Sequence, residues 1–233
     1  MVIPKLISFK LCPFVHRVAI VLQYKAIEHE LVYIDLANPP TWFLELSPLK
    51  KVPILLIGDQ VIFESAVINE YLDEAYPNKL HPRDLLLRAQ NRSWIEFAGV
   101  CMWDAYYLSI KETENEYIDI RDQLLSKFDQ LEKSIAGSPY FNGIDFSLVD
   151  ATYAALFRRL VLVNNLRPDI FNIARHPKIN TWKDTLLKVP AVQESCVPDL
   201  DDLYYEQLWM RKGYLSQRLD QTKYDPTVVK SIY

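Results

Sequence analysis

Apolar and polar positions follow one rhythm in the first 80 residues and another beyond them. At the start, short apolar runs alternate with helical patterns. Lys5-Leu6-Ile7-Ser8-Phe9 reads as a strand and Leu31-Val32-Tyr33-Ile34 as a second. Between them Val15, Val18, Ala19 and Leu22 recur at helical spacing on one face, which predicts a strand–helix–strand unit and a parallel pair. After a short segment at Thr41–Leu46, the runs Ile54-Leu55-Leu56-Ile57 and Val61-Ile62-Phe63 flank Gly58-Asp59, a hairpin signal. Ser65 then opens an amphipathic run with Val67, Ile68, Tyr71 and Leu72 on one face.

From Leu85 to Lys188 the pattern is helical throughout. Ile118, Leu124, Leu125, Phe128, Leu131 and Ile135 carry one apolar stripe, Gly137-Ser138-Pro139 ends it, and Asn142-Gly143 marks a turn. Ser147-Leu148-Val149-Asp150 fits a capping box ahead of an apolar run through Leu162. The end of the chain reads as a helix followed by an extended tail ending in Tyr224-Asp225-Pro226. The order β-α-β-α-β-β-α is the thioredoxin-like arrangement. The expected fold class is therefore an α/β thioredoxin-like domain over residues 1–77 and an all-α helical bundle over 85–212. Residues 78–84 are the expected linker and 213–233 the expected tail.

Composition narrows the function. The chain has 233 residues, 50% of them hydrophobic, with a net charge of −4 and no basic run, which disfavours a nucleic-acid partner. No stretch approaches the length of a membrane span and no secretory signal stands at the N-terminus. A soluble cytoplasmic protein without a membrane partner is expected. Three scattered cysteines, Cys12, Cys101 and Cys196, and four scattered histidines argue against a disulfide framework and against a metal site.

Cys12 differs from the other two thiols in its setting. Cys12-Pro13-Phe14-Val15 falls where the first strand ends and the first helix begins, and proline suits the first helical position. Cys12 is then the N-cap, facing the free N–H groups and the positive end of the helix, which favours thiolate. A pKa near 6 would leave roughly 90% of it ionised at pH 7, against about 3% at the ordinary value near 8.5. Val15 stands where a Cys-x-x-Cys pair would need its second cysteine, so an external thiol must release any mixed disulfide. Cys101 and Cys196 read as structural, and His16 as a solvated histidine on the helix face.

Two further stations suit a peptide-like thiol. Lys51-Val52-Pro53 places a proline in a turn at a strand entry, the usual setting of a cis bond, with the Val52 N–H and C=O open to an extended ligand. Glu64-Ser65 begins the third helix, with Ser65 as N-cap leaving N–H groups for a carboxylate and Glu64 for an ammonium group.

Taken together, Cys12-Pro13-Phe14, Leu46-Ser47-Pro48, Lys51-Val52-Pro53, Phe63-Glu64-Ser65-Ala66, Tyr71-Leu72-Asp73-Glu74-Ala75-Tyr76-Pro77, Pro40-Thr41-Trp42-Phe43 and Ser147-x-x-Asp150 resemble the cytosolic glutathione transferase superfamily over nearly the whole chain. The resemblance is to its cysteine-type members, especially the omega class. It implies that Cys12 forms a mixed disulfide with glutathione, that Phe14 and Pro53 line the site, and that Val52 pairs with the cysteinyl backbone. Glu64 and Ser65 would hold the γ-glutamyl end. Omega-type proteins tend to place a lysine near Ala37 for the glycyl carboxylate, and Lys51 is the substitute here. Trp103, Tyr106 and Tyr107 would line a hydrophobic co-substrate pocket. The implied protein is a homodimeric thiol transferase or dehydroascorbate reductase of redox or detoxification metabolism. It would use glutathione, no metal, and a small electrophilic or disulfide substrate. A conjugating transferase and a non-catalytic binding or regulatory protein are the alternatives.

Overall fold

The computed structural model describes residues 2–220 and residue 223. The chain begins β1 (Lys5–Ser8), α1 (Pro13–Tyr24), β2 (Glu30–Tyr33), α2 (Thr41–Leu46), β3 (Ile54–Ile57), β4 (Gln60–Phe63) and α3 (Ser65–Ala75). The sheet order is β2-β1-β3-β4, with β1 parallel to β2 and antiparallel to β3. β3 and β4 form the expected hairpin, in register Ile57 to Gln60, and Gly58 supplies the positive φ of +59° at its turn. A thioredoxin-like sheet of mixed direction results.

A helical region follows, of α4 (Leu85–Ile110), α5 (Glu114–Ser134), α6 (Leu148–Leu166), α7 (Pro177–Leu186), α8 (Pro190–Glu194) and α9 (Leu200–Arg211). α4 and α6 pack against each other, and α6 also covers α1. That contact explains why every residue from Val15 to Leu22 is buried, not only the face marked by the periodicity. The capping box forms: the Ser147 N–H and hydroxyl both donate to Asp150, which also accepts from the Phe141 N–H and Trp182 Nε1. Gly137 sits where a side chain would run into the backbone of Gly143, so the turn after α5 requires glycine there.

The connection from α3 to α4 is pinned. Asp73 accepts from the N–H groups of Leu80 and His81 and pairs with Lys25 Nζ at 3.0 Å, both side chains buried. After α9 the chain does not run on extended. Tyr214–Arg218 form a 3-10 helix whose Tyr214 N–H donates to the Lys111 carbonyl, with Leu215 and Leu219 buried. The expected tail end at Tyr224-Asp225-Pro226 lies outside the described residues. Among the described residues no helix is long and apolar enough to cross a membrane, and no group of three or more His, Cys, Asp or Glu could hold a metal.

Candidate active site

Cys12 is the N-cap of α1, with Pro13 in the first turn and extended backbone at φ −76°, ψ 118°. The Cys12 N–H donates to Phe9 and its carbonyl accepts from His16, so the strand-to-helix turn fixes its position. Its thiol behaves unlike the sequence expectation. Burial pushes the thiol up from its ordinary value, and the amides of Val15 and Phe14 with the charges of Arg159 and Arg17 offset this only in part. Desolvation of the anion outweighs the helix terminus here.

The expected glutathione stations converge. Phe14, Lys51, Val52, Pro53, Glu64 and Ser65 line one groove of about 140 Å³ together with Trp103. The Val52–Pro53 bond is cis. Val52 stands ahead of the sheet ladder, which begins at Ile54. Ser47 Oγ braces the loop, accepting from the Lys51 N–H and donating to the Lys51 carbonyl.

The start of α3 differs from expectation by one residue. Glu64 is the N-cap, at φ 67° and ψ 109°, and Ser65 is the first helical residue. The Ser65 side chain turns inward, where its Oγ accepts from Arg17 Nε at 2.9 Å and from Arg17 Nη2. Arg17 escaped the sequence reading. Its signal was an arginine inside the apolar run of α1, a position that requires a buried partner. Burial lowers its pKa to about 10, against the charges of Glu96, Cys12 and Glu64, so it stays cationic at neutral pH.

A second, apolar cavity of about 320 Å³ adjoins the groove, and Cys12 lines it. It shares Phe14, Lys51, Val52 and Trp103 with the groove. Trp103 and Tyr106 line it with Met102. Tyr107 does not: one residue further round α4, its half-exposed ring packs on Tyr106 and Trp103 outside the cavity. Phe9, Leu36, Gln207 and Arg211 complete the wall. No local pattern marks them, because they arrive from separate elements. Ala37 is exposed, its N–H held by Asp35, while Lys50 and Lys51 both border the cavity.

His16 is a correction. It is 4% exposed rather than solvated, because α6 and α8 cover its face of α1. Its Nε2 lies 3.0 Å from both Ser195 Oγ and Cys196 Sγ. Burial and the charges of Arg159 and Arg158 hold the ring well below its ordinary pKa, so it is uncharged.

Residues 6–80 match the family model for the glutathione S-transferase N-terminal domain. Glutathione S-transferase omega-1 of Sus scrofa is 30% identical over 211 residues, covering 88% of this chain and 86% of that protein. Pyrimidodiazepine synthase of Drosophila melanogaster is 34% identical, over 81% of this chain and 78% of that protein. In fold, a rice glutathione S-transferase solved with glutathione superposes at a TM-score of 0.79 with 22% identity, covering 91% of this chain and 98% of that one. Matched over most of both lengths to omega-1, and carrying the N-terminal domain of the family on its thioredoxin-like sheet, the chain belongs to the glutathione S-transferase superfamily.

Proposed function

We propose that this transferase is a glutathione-dependent thiol transferase of the omega type, acting on mixed disulfides or dehydroascorbate-like substrates. The observation that carries the reading is the place of Cys12, which lines the apolar cavity at the N-cap of α1 while that cavity shares four residues with the groove. In the groove, the Val52 backbone pairs with the cysteinyl unit of glutathione. Glu64 and the N–H groups opening α3 at Ser65 receive its γ-glutamyl end, and Lys51 its glycyl carboxylate. Phe14 and Pro53 complete its walls. Trp103 and Tyr106 face the co-substrate.

The Cys12 thiolate attacks the glutathionyl sulfur of a mixed disulfide, forming an S–S bond to glutathione and expelling the substrate thiolate, which takes up a proton. A second glutathione thiolate then attacks the adduct, releasing oxidised glutathione and restoring the Cys12 thiolate. A cytoplasmic homodimer is part of the same reading. Replacing Cys12 with alanine should remove thiol transfer from a glutathionylated peptide by at least about a hundredfold. Undiminished transfer would sink the proposal.

One observation favours conjugation as a second activity. Burial keeps the Cys12 thiol up, and the adjoining cavity is apolar enough for a hydrophobic electrophile. Under that reading Cys12→Ala keeps its conjugating rate in the same preparation that has lost thiol transfer.

A further inference from the structure

A second thiol stands in the crevice behind Cys12. Cys12, His16, Arg159 and Cys196 line it together, Cys196 arriving on the connection 195–199 between α8 and α9. Cys196 is half-buried, with its sulfur 3.0 Å from His16 Nε2. Arg159 is 4% exposed, and its Nε donates to the Leu11 carbonyl beside Cys12. Its Nη1 has no hydrogen-bond partner among the described residues. A buried guanidinium N–H without an acceptor is costly, and a thiolate in this crevice would serve as one. The charge of Arg159 acts on both sulfurs, drawing each thiol down against the burial that raises it. Cys101 makes the contrast. It is fully buried in α4 beside Asp104, and burial pushes it up to about 12, which leaves it inert.

We propose that Cys196 is a resolving thiol for Cys12, closing an internal disulfide in place of the second cysteine that Val15 denies to the Cys12 motif. The proposal rests on the reading of Cys12 as the thiol that takes up glutathione. Oxidised glutathione first exchanges with Cys12, giving the Cys12–glutathione disulfide and one reduced glutathione. Cys196 then attacks the Cys12 sulfur. The Cys12–Cys196 bond forms, the bond to glutathione breaks, and the proton from Cys196 ends on the departing glutathione sulfur. The two cysteines are oxidised and one oxidised glutathione becomes two reduced ones. His16 orients the attacking sulfur and Arg159 supplies the positive charge that favours its thiolate. Bond formation requires Cα atoms about 4.4–6.8 Å apart. Cys196 lines the same crevice as Cys12 and stands on the connection 195–199, outside α8 and α9, so the disulfide needs no residue within those helices to move out of its helical bonds.

The full chain is treated with oxidised glutathione, quenched with an alkylating agent, and read by intact mass and by peptide mapping without reductant. Wild type should yield a Cys12–Cys196 linked peptide and retain little glutathione. Cys196→Ser and Cys196→Ala should both hold glutathione on Cys12, with an adduct lifetime at least about tenfold longer. Cys101→Ser should behave as wild type. A lasting Cys12 adduct in wild type, as long-lived as in the Cys196 variants and with no linked peptide, overturns the resolving role and leaves the reading of Cys12 intact. No glutathione on Cys12 in any variant overturns both. Should the variants melt early, the wild-type peptide map decides alone.

Discussion

The reactivity of Cys12 is a contest between two effects of different range. The N-cap position and Pro13 are encoded in four consecutive residues and place the thiol at the positive end of α1. Desolvation depends on what the rest of the molecule lays over that turn, and it wins, moving the thiol up. The thiolate is therefore the minor form at neutral pH in the ligand-free protein, and reactivity should climb with pH. Alkylation of Cys12 by iodoacetamide, corrected with Cys12→Ala, should rise with an apparent pKa above about 8.5. A plateau already reached near pH 6 would show that the helix terminus dominates after all. Ser65 tells a related story. Its place at the start of α3 was legible, but its hydroxyl serves Arg17, which no local pattern joins to it.

At the scale of elements, hydrophobic periodicity located α1 and the hairpin, and turn and capping residues marked where elements begin and end. α1 shows the limit. Its pattern implied one buried face, whereas α6 and α8 bury the other as well, and His16 goes inside with it. α6 shows how a local motif takes on a tertiary task. Ser147 and Asp150 form the capping box that the sequence displays, but the same carboxylate also ties in Phe141 and Trp182 from outside the helix. Asp150→Ala would strand buried donors on three segments at once. Urea unfolding should report a loss of about 3 kcal/mol or more, the cap and the unpaired donors taken together. A loss within 1 kcal/mol, about that of a cap alone, would show that Phe141 and Trp182 find other partners.

Across the whole molecule, the sheet and the helical region are joined by a short polar connection rather than a free linker. The Lys25–Asp73 pair is buried, and Asp73 holds the N–H groups of Leu80 and His81 as the chain leaves α3 for α4. Lys25→Met removes one partner of a buried pair and should cost about 3–5 kcal/mol in the same unfolding assay. A variant as stable as wild type would show that the backbone donors alone satisfy the carboxylate. The same scale decides the site. Groove and cavity exist only because the loop ahead of β3, the start of α3 and the middle of α4 are brought to the turn that carries Cys12, and α9 closes the cavity wall with Gln207 and Arg211.

Sequence alone determined what neighbouring residues can encode: strand and helix periods, the glycine at the hairpin turn, the proline after Cys12, the Ser147–Asp150 cap, and the residues of the groove through their family pattern. Tertiary structure decided what depends on burial and on distant neighbours. It set the direction of the Cys12 shift, put His16 in the interior, turned Ser65 toward Arg17, left Tyr107 outside the cavity and set Cys196 beside His16. The physical reason is range. Periodicity and capping act over a few residues along the chain, whereas desolvation and charge act through space, between residues that meet only after folding.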